Sequence, residues 1–558
     1  TGDGSPVELD PLLPVGTHAG GVVLVPDTWG PLVVAAEAAA ATAEGHASTV
    51  ALYAIPGETA TATTARINAA LAGAGMVRLQ GNFTTNGPLV IPSNTTLDAT
   101  AATITLAAGS TTRMLSNASF MGAGARDHDI AVIGGTWDRG ANSYVGAENA
   151  HAIVLHRADR VSVTDVRYIA TGAVKYSVYL CDVTDGIVER CNFTSTSDGV
   201  HVTGPAARIT VRDISGATDD DLVSFTGRDY TTWELTPGGG NISDIIAERI
   251  HHAGGDANTV KLLPGATMTL AGAVVRDVSG NPGLDAVIIV SDLVQPSTTG
   301  GVVTGVVIDG VSGNPGTGSL VSVGHPDVKG LQINNLTITK ATMRAVSVNQ
   351  TTTVVSDLII NGVTTAAGIA STGSVLQVAS GANVNRLTLS NVSVTQAGVG
   401  LVVACDGTIG QTQAANIRQI GGTSCMSIAG AAPLISVAGL HCITTSVAVV
   451  VTANGATEVH MVGVTGLPTN GRLVGNYSTS GTVTLRASQV TGTATTHLFR
   501  NTAIGIRAVG AEVRCDVSTL TPVAGDIAFN TNAALGCGAG VVISNGTLWK
   551  NLYTGATT

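Results

Sequence analysis

Val161-Ser162-Val163-Thr164-Asp165-Val166 alternates apolar and polar residues, then breaks the alternation at an Asp. The same frame, apolar-x-apolar-x-(Asn/Asp/Gly)-apolar, returns at Ile209–Ile214, Ala273–Val278, Val306–Val311, Leu331–Leu336, Leu358–Val363 and Leu387–Val392. Weaker copies start near positions 130, 186, 245, 415, 435, 459 and 485. Most copies lie 20 to 33 residues apart, about one turn of a β-solenoid. Alternation sends the first, third and sixth residues inward, where equivalent residues of successive turns stack ~4.8 Å apart. The fifth position needs a sharp bend, often at positive φ, which Gly, Asn and Asp tolerate best. Neither a leucine-rich frame nor helical periodicity appears. The chain is therefore expected to be all-β, a right-handed parallel β-helix.

Composition agrees. Gly is abundant at 70 of 558 residues, but 44% of the chain is apolar and 12% charged, which suits many short strands rather than disorder. A formal charge of −11 and the lack of a dense Lys/Arg run argue against a nucleic-acid partner. No apolar run approaches the ~18 residues of a membrane span, so no membrane insertion is expected. Thr1 is not a Met, so the start is expected to be processed or trimmed, and no signal peptide is visible. The seven cysteines (181, 191, 405, 425, 442, 515 and 537) form no C-x-x-C pair; buried thiols are expected, with Cys515–Cys537 a possible disulfide.

Three regions follow. Residues 1–50, with the alanine run Ala35–Ala43, read as an arm or attachment segment. Residues 51–492 form the β-helix, its open end plugged by a short capped helix over Thr63–Leu71. Residues 493–558 read as a small C-terminal β-module for capping or trimerisation.

Aligning turns on one strand stacks inward Val178, Val200, Val223 and Val260, and likewise Leu180, Val202, Phe225 and Leu262. Outward Tyr179, His201, Ser224 and Lys261 are then expected to form a ladder facing solvent. Two residues before each inward Val stand Tyr176, Asp198, Asp221 and Asn258, with Asp220 beside Asp221. An insertion over about Arg228–Asn241, carrying Trp233, is expected to wall a groove. Crowded carboxylates suit glycosidic-bond cleavage, because like charges raise one pKa and leave a partner ionised. Asp198, Asp220 and Asp221 are the catalytic candidates. Lys261, His201, Asn258, Tyr176, Tyr179 and Trp233 are candidate substrate contacts. Asp219 reads as a turn residue, and His251-His252 as part of a bend. No metal site or cofactor is expected.

Ser197-Asp198-Gly199-Val200-His201, Asp220-Asp221-Leu222-Val223 and Lys261-Leu262-Leu263-Pro264-Gly265 resemble the pectin-lyase-like β-helices, and more closely the polygalacturonase-type glycoside hydrolases. The resemblance implies an inverting mechanism, with Asp198 and Asp221 activating water, Asp220 as general acid and Lys261 binding substrate. Asp219 stands where that family has a glycine, Thr196-Ser197 where it has Asn-Thr, and Thr259 where it has Arg. These departures bear on the substrate more than on hydrolysis. Gly525–Asn530 and Gly546–Gly555 look like the tails of bacteriophage tail proteins. That likeness implies a trimeric tailspike in the virion, docked to other tail or baseplate proteins through its N-terminal arm and acting on a host cell-surface polysaccharide. A non-catalytic receptor-binding tail protein is one alternative. A polysaccharide lyase using Arg208 or Arg212 is another.

Overall fold

In a computed structural model, residues 49–488 are described apart from 229–231, 266, 292–300, 317, 444–446, 453–455, 467–471 and 477–482; beyond 488, five strands between 497 and 551 are described. The N-terminal arm with Ala35–Ala43, Cys515, Cys537 and most of the C-terminal region lie outside the described residues.

The chain forms a parallel β-solenoid of about 16 turns. Strand Asp198–Thr218 illustrates one turn. Its first stretch pairs in parallel with Tyr176–Cys181, its middle with Val183–Glu189, and its last with Asn192–Ser195. Every first, third and sixth residue of the seven full repeat frames is buried, so one apolar column runs the length of the coil. The fifth residues are all left-handed: Asp165, Asp213, Asp277, Asn335 and Asn391 have φ of 53–59°, and Gly310 and Gly362 have 67° and 77°.

A second left-handed bend, which the sequence reading missed, precedes five of the seven full frames and the weaker copies at 186 and 245. It falls at Arg160, Asp185, Arg208, Asp244, Gly272, Gly305 and Gly330. Arg has no intrinsic taste for this conformation. Here the guanidinium is tied to the neighbouring coil, Arg160 to Asp129 at 2.7 Å and Arg208 to Asp185 at 2.5 Å.

Asn335 sits at a bend and donates from Nδ2 to Asp309 Oδ1 at 2.7 Å. Asn335→Ala loses that bond and replaces a residue that tolerates the left-handed region with one that tolerates it poorly, an expected cost of about 1–2 kcal/mol. Asn335→Gly should cost less, and urea unfolding of the two variants gives the order.

The capping helix α1 (Ala60–Gly73) starts where Thr59 Oγ1 accepts the amide of Ala62. It turns Ile67 and Leu71 into the end of the core, covering apolar surface that an open coil end would expose. Strand Thr49–Tyr53 pairs with Met76–Gln80, so the stack already includes Thr49. At the other end, parallel pairing reaches Ile506–Val509. Asp526–Asn530, Gly540–Ser544 and Trp549–Asn551 then pair antiparallel. The five described cysteines are free and buried, and no helix among the described residues is long and apolar enough to cross a membrane.

Candidate active site

Strand pairing brings the candidate residues together in the expected register. Tyr176 pairs with Asp198, Tyr179 with His201, His201 with Ser224, and Ser224 with Lys261. Because Asp198 and Asp221 stand at equivalent positions of successive turns and Asp220 adjoins Asp221, one oxygen from each of the three lies within 4.8 Å of the others.

Their environments differ. Asp198 and Asp221 are each only 1% exposed, whereas the Asp220 side chain is 38% exposed. Asp221 is held on both oxygens: Lys261 Nζ donates to Oδ2 at 2.7 Å, and the Nδ2 and backbone N–H of Asn258 donate to Oδ1 at 2.8 and 3.2 Å. Asp220 receives Lys175 Nζ at 3.3 Å. That ammonium stems from two turns earlier and also lies 5.4 Å from the Tyr176 ring centre. Asp198 Oδ2 lies 2.7 Å from His201 Nδ1, while His201 Nε2 meets Thr226 Oγ1 at 2.9 Å. Burial, then the charges of Asp220 and Asp221, hold the Asp198 carboxyl well above the usual carboxylate range. The three carboxylates thus face two lysines, Lys175 and Lys261.

Several expectations need correcting. The outward ladder does not face solvent: Tyr179, His201, Ser224 and Lys261 are all buried. The inserted loop roofs this face instead of walling a groove beside it. Leu235 packs on Val154, Tyr176, Tyr179 and Cys181, and Thr236 Oγ1 reaches His156 Nε2 at 3.2 Å and Cys181 Sγ at 3.4 Å. Tyr176 and Tyr179 are therefore unavailable to a sugar ring. Tyr176 is sandwiched between His201, with ring centres 3.6 Å apart, and His151, 4.7 Å away. The acidic patch is likewise mostly covered, with Asp220 as its accessible member. Asn258 holds Asp221 instead of presenting itself to a ligand. Trp233 remains half-buried, edge-on to Tyr144 at 5.5 Å.

Lys175 and His252 escaped the site reading. Lys175 reaches Asp220 past the intervening turn, where Ser197 stands, and pairing between adjacent turns gives no hint of a contact spanning two. His252 Nε2 lies 2.9 Å from Thr218 Oγ1, whose hydroxyl donates to the Asp220 carbonyl at 2.8 Å. It therefore braces the Asp-bearing turn, and burial lowers its pKa. Asp285 prolongs the column beyond Asn258, whose Oδ1 accepts the Asp285 amide at 3.1 Å. Arg208 and Arg212 are committed to Asp185 and Glu189 in the bend ladder.

No family model and no curated protein matches the sequence. Solved structures with a similar course include a polygalacturonase from Erwinia carotovora ssp. carotovora, 15% identical, covering 61% of this chain and 97% of that one, at a TM-score of 0.41. A mutant tailspike protein of the Escherichia coli bacteriophage HK620, in complex with a hexasaccharide, is 11% identical and covers 80% of this chain and 77% of that one, at 0.39. A mannuronan C-5 epimerase A-module from Azotobacter vinelandii is 13% identical, covering 62% and 92%, at 0.33. The parallel β-helix expected from the sequence is borne out by the strand pairing itself.

Proposed function

We propose that this chain is a bacteriophage tail protein that hydrolyses glycosidic bonds of a host cell-surface polysaccharide with Asp198, Asp220 and Asp221. The observation that carries the proposal is the convergence of three carboxylates with two lysines, with the Asp198 carboxyl buried and Asp220 open to a ligand. That arrangement suits paired acid and base work on a glycosidic bond.

The proton resting on Asp198 passes within the cluster to Asp220, the carboxyl open to a ligand. Asp220 then protonates the glycosidic oxygen as the bond between that oxygen and the anomeric carbon breaks. A water held by Asp198 and Asp221 attacks that carbon and returns a proton to Asp198, which restores the starting state. Lys261 and Asn258 fix Asp221, and Lys175 orients Asp220.

The decisive assay measures reducing ends released from purified host-envelope glycan by the isolated protein. Release supports hydrolysis, and its absence against the glycan of the true host counts against it. Products absorbing as unsaturated uronates would instead indicate a lyase. Stereochemistry is a separate test. The carboxylate oxygens lie within 4.8 Å of one another, while inverting pairs ordinarily stand about 6.5–9.5 Å apart. Direct attack by water, which the sequence resemblance also implies, requires inversion, so proton NMR of the first product should show the inverted anomer despite this short separation. A retained anomer would make one of the aspartates a nucleophile.

Burial of Asp198 and Asp221 favours a second reading, a receptor-binding tail protein that recognises the glycan without cutting it. In that case host adsorption would survive substitution of all three aspartates and no reducing ends would appear. Trimerisation, attachment through residues 1–50 and a place in the virion belong to the proposal. Sedimentation of the full chain tests the first of these.

A further inference from the structure

The charges around Asp220, the accessible carboxyl of the cluster and the place we call the cleft, restrict what sugar can approach it, an inference that rests on the hydrolase reading. Lys175 and Lys261 are both engaged, the first by Asp220 at 3.3 Å and the second by Asp221 at 2.7 Å. Thr259, buried, stands two residues before Lys261 and offers no charge. Arg228, in the roofing loop, is paired with Glu234 at 2.9 Å.

Further acids border the cluster. Asp219 and Asp256 are exposed and occupy equivalent positions in the turns leading to Val223 and Val260, which pair directly. The two turns touch: a Cβ on Gly255 would lie 1.6 Å from the Thr218 carbonyl oxygen. Stacked turns of a parallel coil are ~4.8 Å apart, so two like charges stand side by side. Neither takes part in an ion pair among the described residues. The four carboxyl groups of Asp219, Asp220, Asp221 and Asp256 outnumber the two lysines.

We infer that the cleft selects glycans whose residues crossing it carry no carboxylate, that is, neutral or amino-sugar polymers, and rejects polyuronates. A uronate entering beside Asp220 would add negative charge to a rim where Lys175, Lys261 and Arg228 are each already paired with a carboxylate. A neutral or amino sugar meets no such penalty.

The test compares neutral and amino-sugar polymers (mannan, arabinogalactan, chito-oligosaccharides) with polygalacturonate, alginate and hyaluronate at low ionic strength. Reducing-end release and retardation in affinity gels are read in parallel. The expected result is a preference of about tenfold or more for the uncharged or amino polymers, as like-charge juxtaposition imposes on a mismatched partner. The double variant Asp219→Asn/Asp256→Asn should shift the ratio toward uronates, and added salt should narrow it for the wild type. A uronate polymer cut or retarded as strongly as the best neutral one overturns the assignment, as does an unchanged ratio in the double variant. If no polymer of the panel is cut, the gels alone decide the charge preference, and the hydrolase reading stands or falls separately on the host-envelope glycan.

Discussion

Asp220→Asn should lower turnover on the cognate glycan by about 10²–10⁴-fold, the range that a positioned acid contributes. Asp220 is the accessible carboxyl of the cluster, and the amide keeps its shape while removing the proton it would deliver. Affinity should change much less, because the variant leaves the roofing loop and the Asp221–Lys261 pair in place. Folding should be nearly unaffected, since the exposed Asp220–Lys175 pair is of a kind worth about 0–1 kcal/mol. Initial rates, a binding isotherm and a melting curve on one preparation separate these effects. A variant that cuts at the wild-type rate would remove Asp220 from the chemistry. One that neither binds nor melts normally would make it structural.

Asp198→Asn carries the second large expectation, and its signature lies in stability. The folded pKa of Asp198 is raised above its unfolded value of about 3.9. Wild-type stability is therefore fully present below about pH 4 and declines as pH rises toward the folded pKa, with a slope approaching about 1.4 kcal/mol per pH unit. Above the folded pKa that contribution levels off. Asn cannot ionise, so the variant should lack this decline and exceed the wild type in stability at neutral pH, provided that its amide still meets His201. Its activity should nevertheless collapse, because the cluster loses its resting proton. Urea midpoints from pH 4 to 8 test the prediction. Parallel pH profiles for the two proteins would place the retained proton elsewhere.

Much of this was legible in the residues. The bends at Asp165, Asp213 and Asn335 announce themselves because few side chains accept positive φ, and the inward positions follow from alternation alone. The pairing of Asp198 with Tyr176, and of Lys261 with Ser224, needed only the stacking of inward valines. What resisted reading was what covers the sheet. Leu235 and Thr236 reach Val154, His156 and Cys181 through an insertion with no period, so nothing in the pattern revealed that Tyr179 and His201 would be enclosed. Arg160 and Arg208 at left-handed bends were equally opaque, because partners on the next coil hold them there. Lys175 was missed for a related reason: its contact skips a turn.

The candidate cleft uses residues from a few successive turns, with Lys175 at one side and Lys261 at the other. Beyond it, the ladder from Thr269–Gly280 to Val483–Ser488 continues for roughly 40 Å at ~4.8 Å per turn. Those later turns repeat the same frame and contribute none of the site's carboxylates. Chemistry and reach are thus written in different parts of one coil. Adding or removing a whole later turn should move the cleft relative to the C-terminal end by one rung, about 5 Å, without touching the residues proposed to cut.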